Sequence, residues 1–228
     1  MPSRDPFRES HVASRRNRPA KPPLSRDAIV AEALRQISRD GGGMSLRKIA
    51  TALDTGPASL YAYVDDLSEL QALVLDHALD DVAVGEPGEP WRARLERLLR
   101  SYAEVLAKSP TLAQLAFQTV AVGPNALRIA EALLEILAEA GVGPATAAWA
   151  IDMLTMSMAA AAAGHANGVD PAAPDSPVTQ AINRVSADEY PRVHAAREDI
   201  MSGTGDERFA WSVDVLIRGI LASGRTHP

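Results

Sequence analysis

Two short apolar-periodic segments, separated by the turn Asp54-Thr55-Gly56 and restarted by Pro57, constrain this chain more than any other feature. In the first, Ser45 occupies an N-cap position, and Leu46, Ile49, Ala50 and Leu53 recur at i, i+3, i+4 and i+7. One face of a two-turn helix is therefore apolar, and the other presents Arg47 and Lys48. Pro57 suits a first helical position, where its missing N–H loses no helical hydrogen bond. The helix it opens is very short and runs to about Val64. Leu60 and Val64, four residues apart, must face inward, which leaves Ser59, Tyr61, Ala62 and Tyr63 pointing out. A helix, a three-residue turn and a second helix make a helix-turn-helix.

The flanking sequence completes a three-helix head. Ser25 caps a preceding helix, Asp27 suits its positive end, and Leu24 with Ile29 has the spacing of a hydrophobic staple. Ile29, Val30, Ala33, Leu34 and Ile37 share one face, and Gly41-Gly42-Gly43 ends the helix. Asp66 and Glu69, at capping-box spacing, start a fourth helix running towards Val84 with Leu67, Leu70, Leu73, Val74 and Ala78 on its apolar side. After the break at 85–90, helices are expected near 91–108, 110–119, 124–140, 144–166, 178–202 and 207–223, the ninth interrupted by Pro191. Residues 167–177, with Gly168 and three prolines, read as a loop. No alternating β-branched run competes, so the fold class is all-α. The expected organisation is a disordered basic arm over residues 1–23, a DNA-binding domain with its connecting helix over 24–84, and a helical-bundle domain for ligand binding and dimerisation over 85–228.

Charge is segregated along this plan. The net charge of −6 hides a head, residues 1–64, with 11 basic against 6 acidic residues, while the remainder has 12 against 23. Polyanion binding depends on the local field and on counterion release, so a basic head on an acidic body can bind duplex DNA while the body repels it. The outward face supplies the chemistry: Tyr61 and Tyr63 hydroxyls for phosphates or bases, Ser45, Thr55 and Ser59 as hydrogen-bonding groups, and Pro57, Ala58 and Ala62 for close approach or thymine-methyl contact. Arg47 suits bidentate guanine recognition and Lys48 a phosphate. In the arm, Arg15, Arg16, Arg18 and Lys21 can follow the minor groove or add nonspecific charge.

The segments IVAEALRQISRDGG, SLRKIATAL and PASLYAYV, followed by a leucine-bearing fourth helix, resemble the tetracycline-repressor (TetR) family of regulators. WRARLERLLRSYAEVLAKSP and GPNALRIAEALLEILAEAGV resemble that family's tetracycline-repressor-like C-terminal domain. The resemblance implies an all-helical homodimer and a repressor released from a double-stranded, palindromic operator by a small-molecule effector. The family commonly has Gly where this chain has Asp54, and a phosphate-contacting Lys where it has Leu67 after Asp65 and Asp66. Ser109 and Ala83 replace residues that contact drug in tetracycline binders, which argues against magnesium-tetracycline as the effector.

Within the body, Tyr102, Phe117, Trp149, Met153 and Met156 are candidates for a ligand pocket, because flexible Met beside aromatic rings makes an adaptable wall. His77 could add a hydrogen bond. The bland alternative for Trp149, Met153 and Met156, at i, i+4 and i+7, is plain core. Homodimerisation is expected through the eighth and tenth helices, by the small residues Ala159 to Ala163 and the stripe Phe209, Val213, Leu216 and Ile220. No metal-ligand spacing, cofactor motif or catalytic motif is present, so neither an enzyme nor a cofactor protein is expected. The absence of cysteine and of an apolar leader fits the cytoplasm, and the alanine-rich 140–169 stretch lacks the large aliphatics of a membrane span. The alternative is a helical ligand-binding or interaction protein whose DNA binding has been weakened by Asp65, Asp66 and Leu67.

Overall fold

Side-chain caps and N1 prolines set most helix starts in the computed structural model, which describes residues 23–40, 43–86, 88–119, 121–166, 173 and 176–224. The arm residues Arg15, Arg16, Arg18 and Lys21, the Gly41-Gly42 helix stop and most of the 167–177 loop lie outside these residues. Among those described, all regular structure is helical.

The head comprises α1 (Arg26–Asp40), α2 (Leu46–Ala52) and α3 (Pro57–Leu60), and α4 (Leu67–Leu79) joins it to the body. Ser25 Oγ accepts from the amide of Ala28 at 3.1 Å, as its cap position predicts. Ser45 holds the N-cap position of α2 with extended backbone but makes no side-chain cap, so only its carbonyl, bonded to Ile49, serves the helix. The third helix is shorter than expected: regular hydrogen bonding stops at Leu60, and 61–63 form a turn closed by the Val64 amide on the Leu60 carbonyl. Ile29, Ile37, Ile49, Leu60, Val64 and Leu70 are buried together as the head's core.

The junction between α3 and α4 is fixed by Arg26. Its Nε and Nη2 both donate to the Tyr63 carbonyl, at 3.1 and 3.0 Å, and Nη2 lies 3.4 Å from Glu69 Oε1. Asp66 Oδ1 caps α4 by accepting from the Glu69 amide at 2.8 Å. The expected capping box is shifted by one residue, because Glu69 Oε2 reaches the amide of Asp65 instead of that of Asp66.

The body contains α5 (Trp91–Ala107), α6 (Pro110–Gln118), α7 (Pro124–Glu139), α8 (Pro144–Ala166) and α12 (Gly205–Ala222). Between the last two, the single helix expected over 178–202 is three short ones: α9 (Pro177–Asn183), α10 (Pro191–Ala195) and α11 (Arg197–Met201). Pro191 lacks an N–H and starts α10, so the chain cannot run through as one helix. The helix expected as the tenth is therefore α12. By length and composition α8 could cross a membrane, but here it packs against α5, α6, α7 and α12, with Leu154, Met158 and Ala159 buried. Arg94, almost wholly buried on α5, reaches Glu139 at 2.7 Å and Glu135 at 3.3 Å on α7. On α12, Val213, Ile217 and Ile220 turn inward, and Arg100 of α5 lies 5.0 Å over the Phe209 ring. Phe209, Val213, Leu216 and Ile220, expected at the dimer face, thus contribute to packing within the subunit.

Candidate nucleic-acid interface and body cavity

The outward face of the head takes shape around the buried pair Leu60 and Val64. Because these two point inward, Pro57, Ala58, Ser59, Tyr61 and Ala62 are exposed, and Tyr61 leaves 55% of its surface open to water. A phenol so exposed presents both an apolar ring and a hydroxyl to a partner. Arg47 and Lys48 are exposed on α2, and Thr55 and Ser45 are half-buried. Tyr63 departs from expectation: it is partly buried against the head's core, and its carbonyl is held by Arg26. The turn placed it differently from Tyr61, because helical geometry has ended there.

Lys48 does not share the Tyr61 face alone. It also lines a shallow cleft with Glu32, Arg35, Gln36, Arg39 and Ala52, in which Arg35 pairs with the buried Glu32 carboxylate. Asp65 and Asp66 are exposed beside α3, and the Asp66 carboxylate serves as the cap of α4.

The body holds a cavity of about 500 Å³, open to solvent on the side of Phe117 and Met156, which are both exposed. Its walls come from Leu79 of α4, Tyr102 of α5, Phe117 and Gln118 of α6, Ile129 and Leu133 of α7, and Asp152, Thr155 and Met156 of α8. That volume lies within the range of small-molecule sites, and the lining is mainly apolar with a few polar groups. Tyr102 is 6% exposed, and burial pushes its phenol up to about 12 from an ordinary 10.0. Among the described residues, Asp152 is the only carboxylate that lines the space, and no Lys, Arg or His lines it.

Of the expected pocket residues, Tyr102, Phe117 and Met156 meet there. Trp149, Met153 and His77 do not: each is exposed and lies off the cavity. Trp149 and Met153 are not core either, because α8 packs through the opposite face, on Ala147, Ala150 and Leu154. Ile129 and Leu133 carry no cavity signal in the sequence, since aliphatic residues lining a cavity follow the same periodicity as residues filling a core.

A helix-turn-helix head carried by one long helix on a cavity-bearing helical body defines the class of sensor-regulators. Residues 84–223 match the family described as the tetracyclin repressor-like, C-terminal domain. An HTH-type transcriptional regulator of Saccharopolyspora erythraea is 35% identical over 127 residues, 55% of this chain and 54% of that relative. The HTH-type transcriptional repressor DrrR1 of Streptomyces coeruleorubidus is 32% identical over 133 residues, 56% of this chain and 48% of its own length. The chain spans about half the length of the curated relatives it matches. Among solved structures, the TetR family protein ActR of Streptomyces coelicolor in complex with actinorhodin is 30% identical with a TM-score of 0.78, covering 88% of this chain and 98% of ActR. The chain belongs to the TetR family of transcriptional regulators.

Proposed function

We propose that this protein is a dimeric, ligand-responsive repressor that reads a duplex operator with α3 and the exposed face of α2. The observation that carries the reading is Tyr61, more than half exposed among the exposed small residues Ala58, Ser59 and Ala62, with Arg47 also exposed on α2. Arg47 is assigned to a base edge, Tyr61, Ser59 and Thr55 to phosphates or bases, and Lys48 with the arm cations to nonspecific charge. Tyr63 is assigned to support of the helix end.

The dimer is assigned to α8 and α12, through Trp149 and Met153 on one and Trp211 and Val215 on the other, all strongly exposed. Large exposed apolar groups at helical spacing mark interfaces. A two-fold pair sets two heads at half-sites about 34 to 36 Å apart, or a multiple of that, which suits a palindrome. The protein's place of work in this reading is the cytoplasm, where the operator is.

The effector class follows from the cavity lining. Rings at Tyr102 and Phe117, aliphatic walls and one carboxylate without a cation favour a neutral or cationic amphipathic molecule carrying an aromatic system. ActR's complex with actinorhodin supports a small-molecule effector for this architecture. Enrichment of random duplexes on the full chain tests the DNA reading. A selected palindrome is expected, with log affinity falling against log salt by about 0.9 per phosphate contact. Recovery of no preferred sequence overturns the repressor reading and leaves a ligand-binding protein whose DNA contact is spoiled by Asp65 and Asp66.

A further inference from the structure

Helix ends leave backbone groups without partners: amides at the start, where the dipole is positive, and carbonyls at the finish, where it is negative. The finish of α4 and the start of α7 satisfy each other. Asp76, on the last turn of α4 and 4% exposed, accepts from the Ala126 amide at 2.9 Å, and from the Asn125 amide and side chain at 3.4 and 3.3 Å. In return, Arg128 on the first turns of α7 donates to the carbonyls of Leu79, Asp80 and Val82, at 3.0, 3.2 and 3.1 Å. Each helix thus sends the charge that the other's end requires, and six hydrogen bonds cross one junction.

We infer that Asp76 and Arg128 form a joint that fixes the angle between the head-bearing α4 and the cavity wall α7, and so sets where the heads stand. They are positioning residues, since neither touches the cavity or the outward face of the head. The placement gives the joint its leverage. Leu79 of α4 and Ala126 of α7, which line the cavity, belong to the same two helix ends, so an occupant presses on both halves of the joint. Slippage is resisted because any shift along either axis strands a buried carboxylate or several terminal carbonyls. With 13 residues α4 is about 20 Å long, so a tilt of about 6° moves its head end by about 2 Å. The allosteric use of this joint rests on the repressor reading, whereas its existence as a joint does not.

The chain has no cysteine, so spin labels can be placed at will. Ser38→Cys on α1 with Ala138→Cys on α7 reports the head-to-wall distance, and Glu104→Cys with Ala138→Cys is a control inside the body; all three positions are exposed. Labelled full-length chains are mixed with excess unlabelled chain so that each distance is measured within one subunit. In the unsubstituted background both distance distributions are expected to be narrow. Asp76→Asn and Arg128→Met are expected to widen the head-to-wall distribution at least twofold while leaving the control unchanged, and Arg128→Lys to fall between. Unchanged head-to-wall widths in both variants overturn the joint, as does equal widening of the control, which indicates general loosening. Operator affinity of Arg128→Met on the enriched duplex is expected to drop at least fivefold, because the correct head position is then populated only part of the time. If the distances widen but no operator is ever selected, the joint stands and the repressor reading fails.

Discussion

Ser109 Oγ donates to the carbonyl of Ile37 at 3.2 Å, which ties the start of α6 in the body to the last turn of α1 in the head. The same oxygen accepts from the Thr111 amide at 3.2 Å, and Ser109 is 1% exposed. One hydroxyl therefore satisfies an orphan carbonyl of one helix and an orphan amide of another.

Replacing Ser109 by Ala takes this partner from the buried Ile37 carbonyl and from the part-buried Thr111 amide. The expected cost is roughly 1–3 kcal/mol, the range for a buried unsatisfied group together with a lost N-cap. Chemical denaturation of Ser109→Ala should show a lower midpoint at an unchanged slope. An unaltered midpoint contradicts the assignment of this hydroxyl as the head-to-body tie.

Asp54 has φ of +51°, the left-handed region, in the turn between α2 and α3. This explains why Gly is common there in the family: a Cβ in that region costs roughly 1–2 kcal/mol, and Asp is among the few residues that tolerate it. Asp54→Ala is expected to be less stable than Asp54→Gly by about 1 kcal/mol, because Ala keeps the Cβ and loses the carboxylate. Equal thermal stability of the two variants would falsify the strain argument.

The head was legible because its signals are local. Ser25, Pro57 and Asp66 act within one turn of themselves, and Leu60 with Val64 leaves only one way for Tyr61 to face. Tyr63 is partly buried, unlike the outward position that continued helical geometry gives it, because a turn follows Leu60. In the body, periodicity identifies an apolar face but not its partner. Trp149 and Met153 could equally have been core, cavity or surface, and only the packing of α8 through Ala147, Ala150 and Leu154 decides. The Asp76–Arg128 junction, about 50 residues apart in sequence, carries no local signal, since an isolated acid and an isolated base on two helices are ordinary.

Tyr102 should respond to alkali. Burial disfavours its phenolate, so the folded state holds the proton to about pH 12, whereas the unfolded chain releases it near 10.0. The folded-state value is raised, so stability is retained below pH 10 and lost as pH climbs through this window. A shift of that size corresponds to roughly 2–3 kcal/mol. Ultraviolet titration is expected to contain a late phenolate step that Tyr102→Phe removes, and the variant's stability should fall less between pH 10 and 12. A late step that persists in Tyr102→Phe rules out this assignment.

The exposed stripes on α8 and α12 make a sharper prediction than the small residues of Ala159 to Ala163. Trp149, Met153, Met156 and Ala160 recur at i, i+4, i+7 and i+11, and Trp211, Val215, Gly219 and Ala222 at i, i+4, i+8 and i+11. Trp149 is 64% exposed and Trp211 69%, so a charge at either position leaves the subunit's own core intact while placing an unpaired carboxylate in the proposed interface. Trp211→Glu and Trp149→Glu are each expected to give folded monomers by sedimentation, with operator affinity reduced more than about tenfold because a monomer reaches a single half-site. Val213→Ala, buried on the opposite side of α12, should instead lose about 1–3 kcal/mol of stability and remain dimeric. If both Trp variants sediment as dimers, the two-fold face lies elsewhere on the body, and the spacing of the two heads must be derived from that other face.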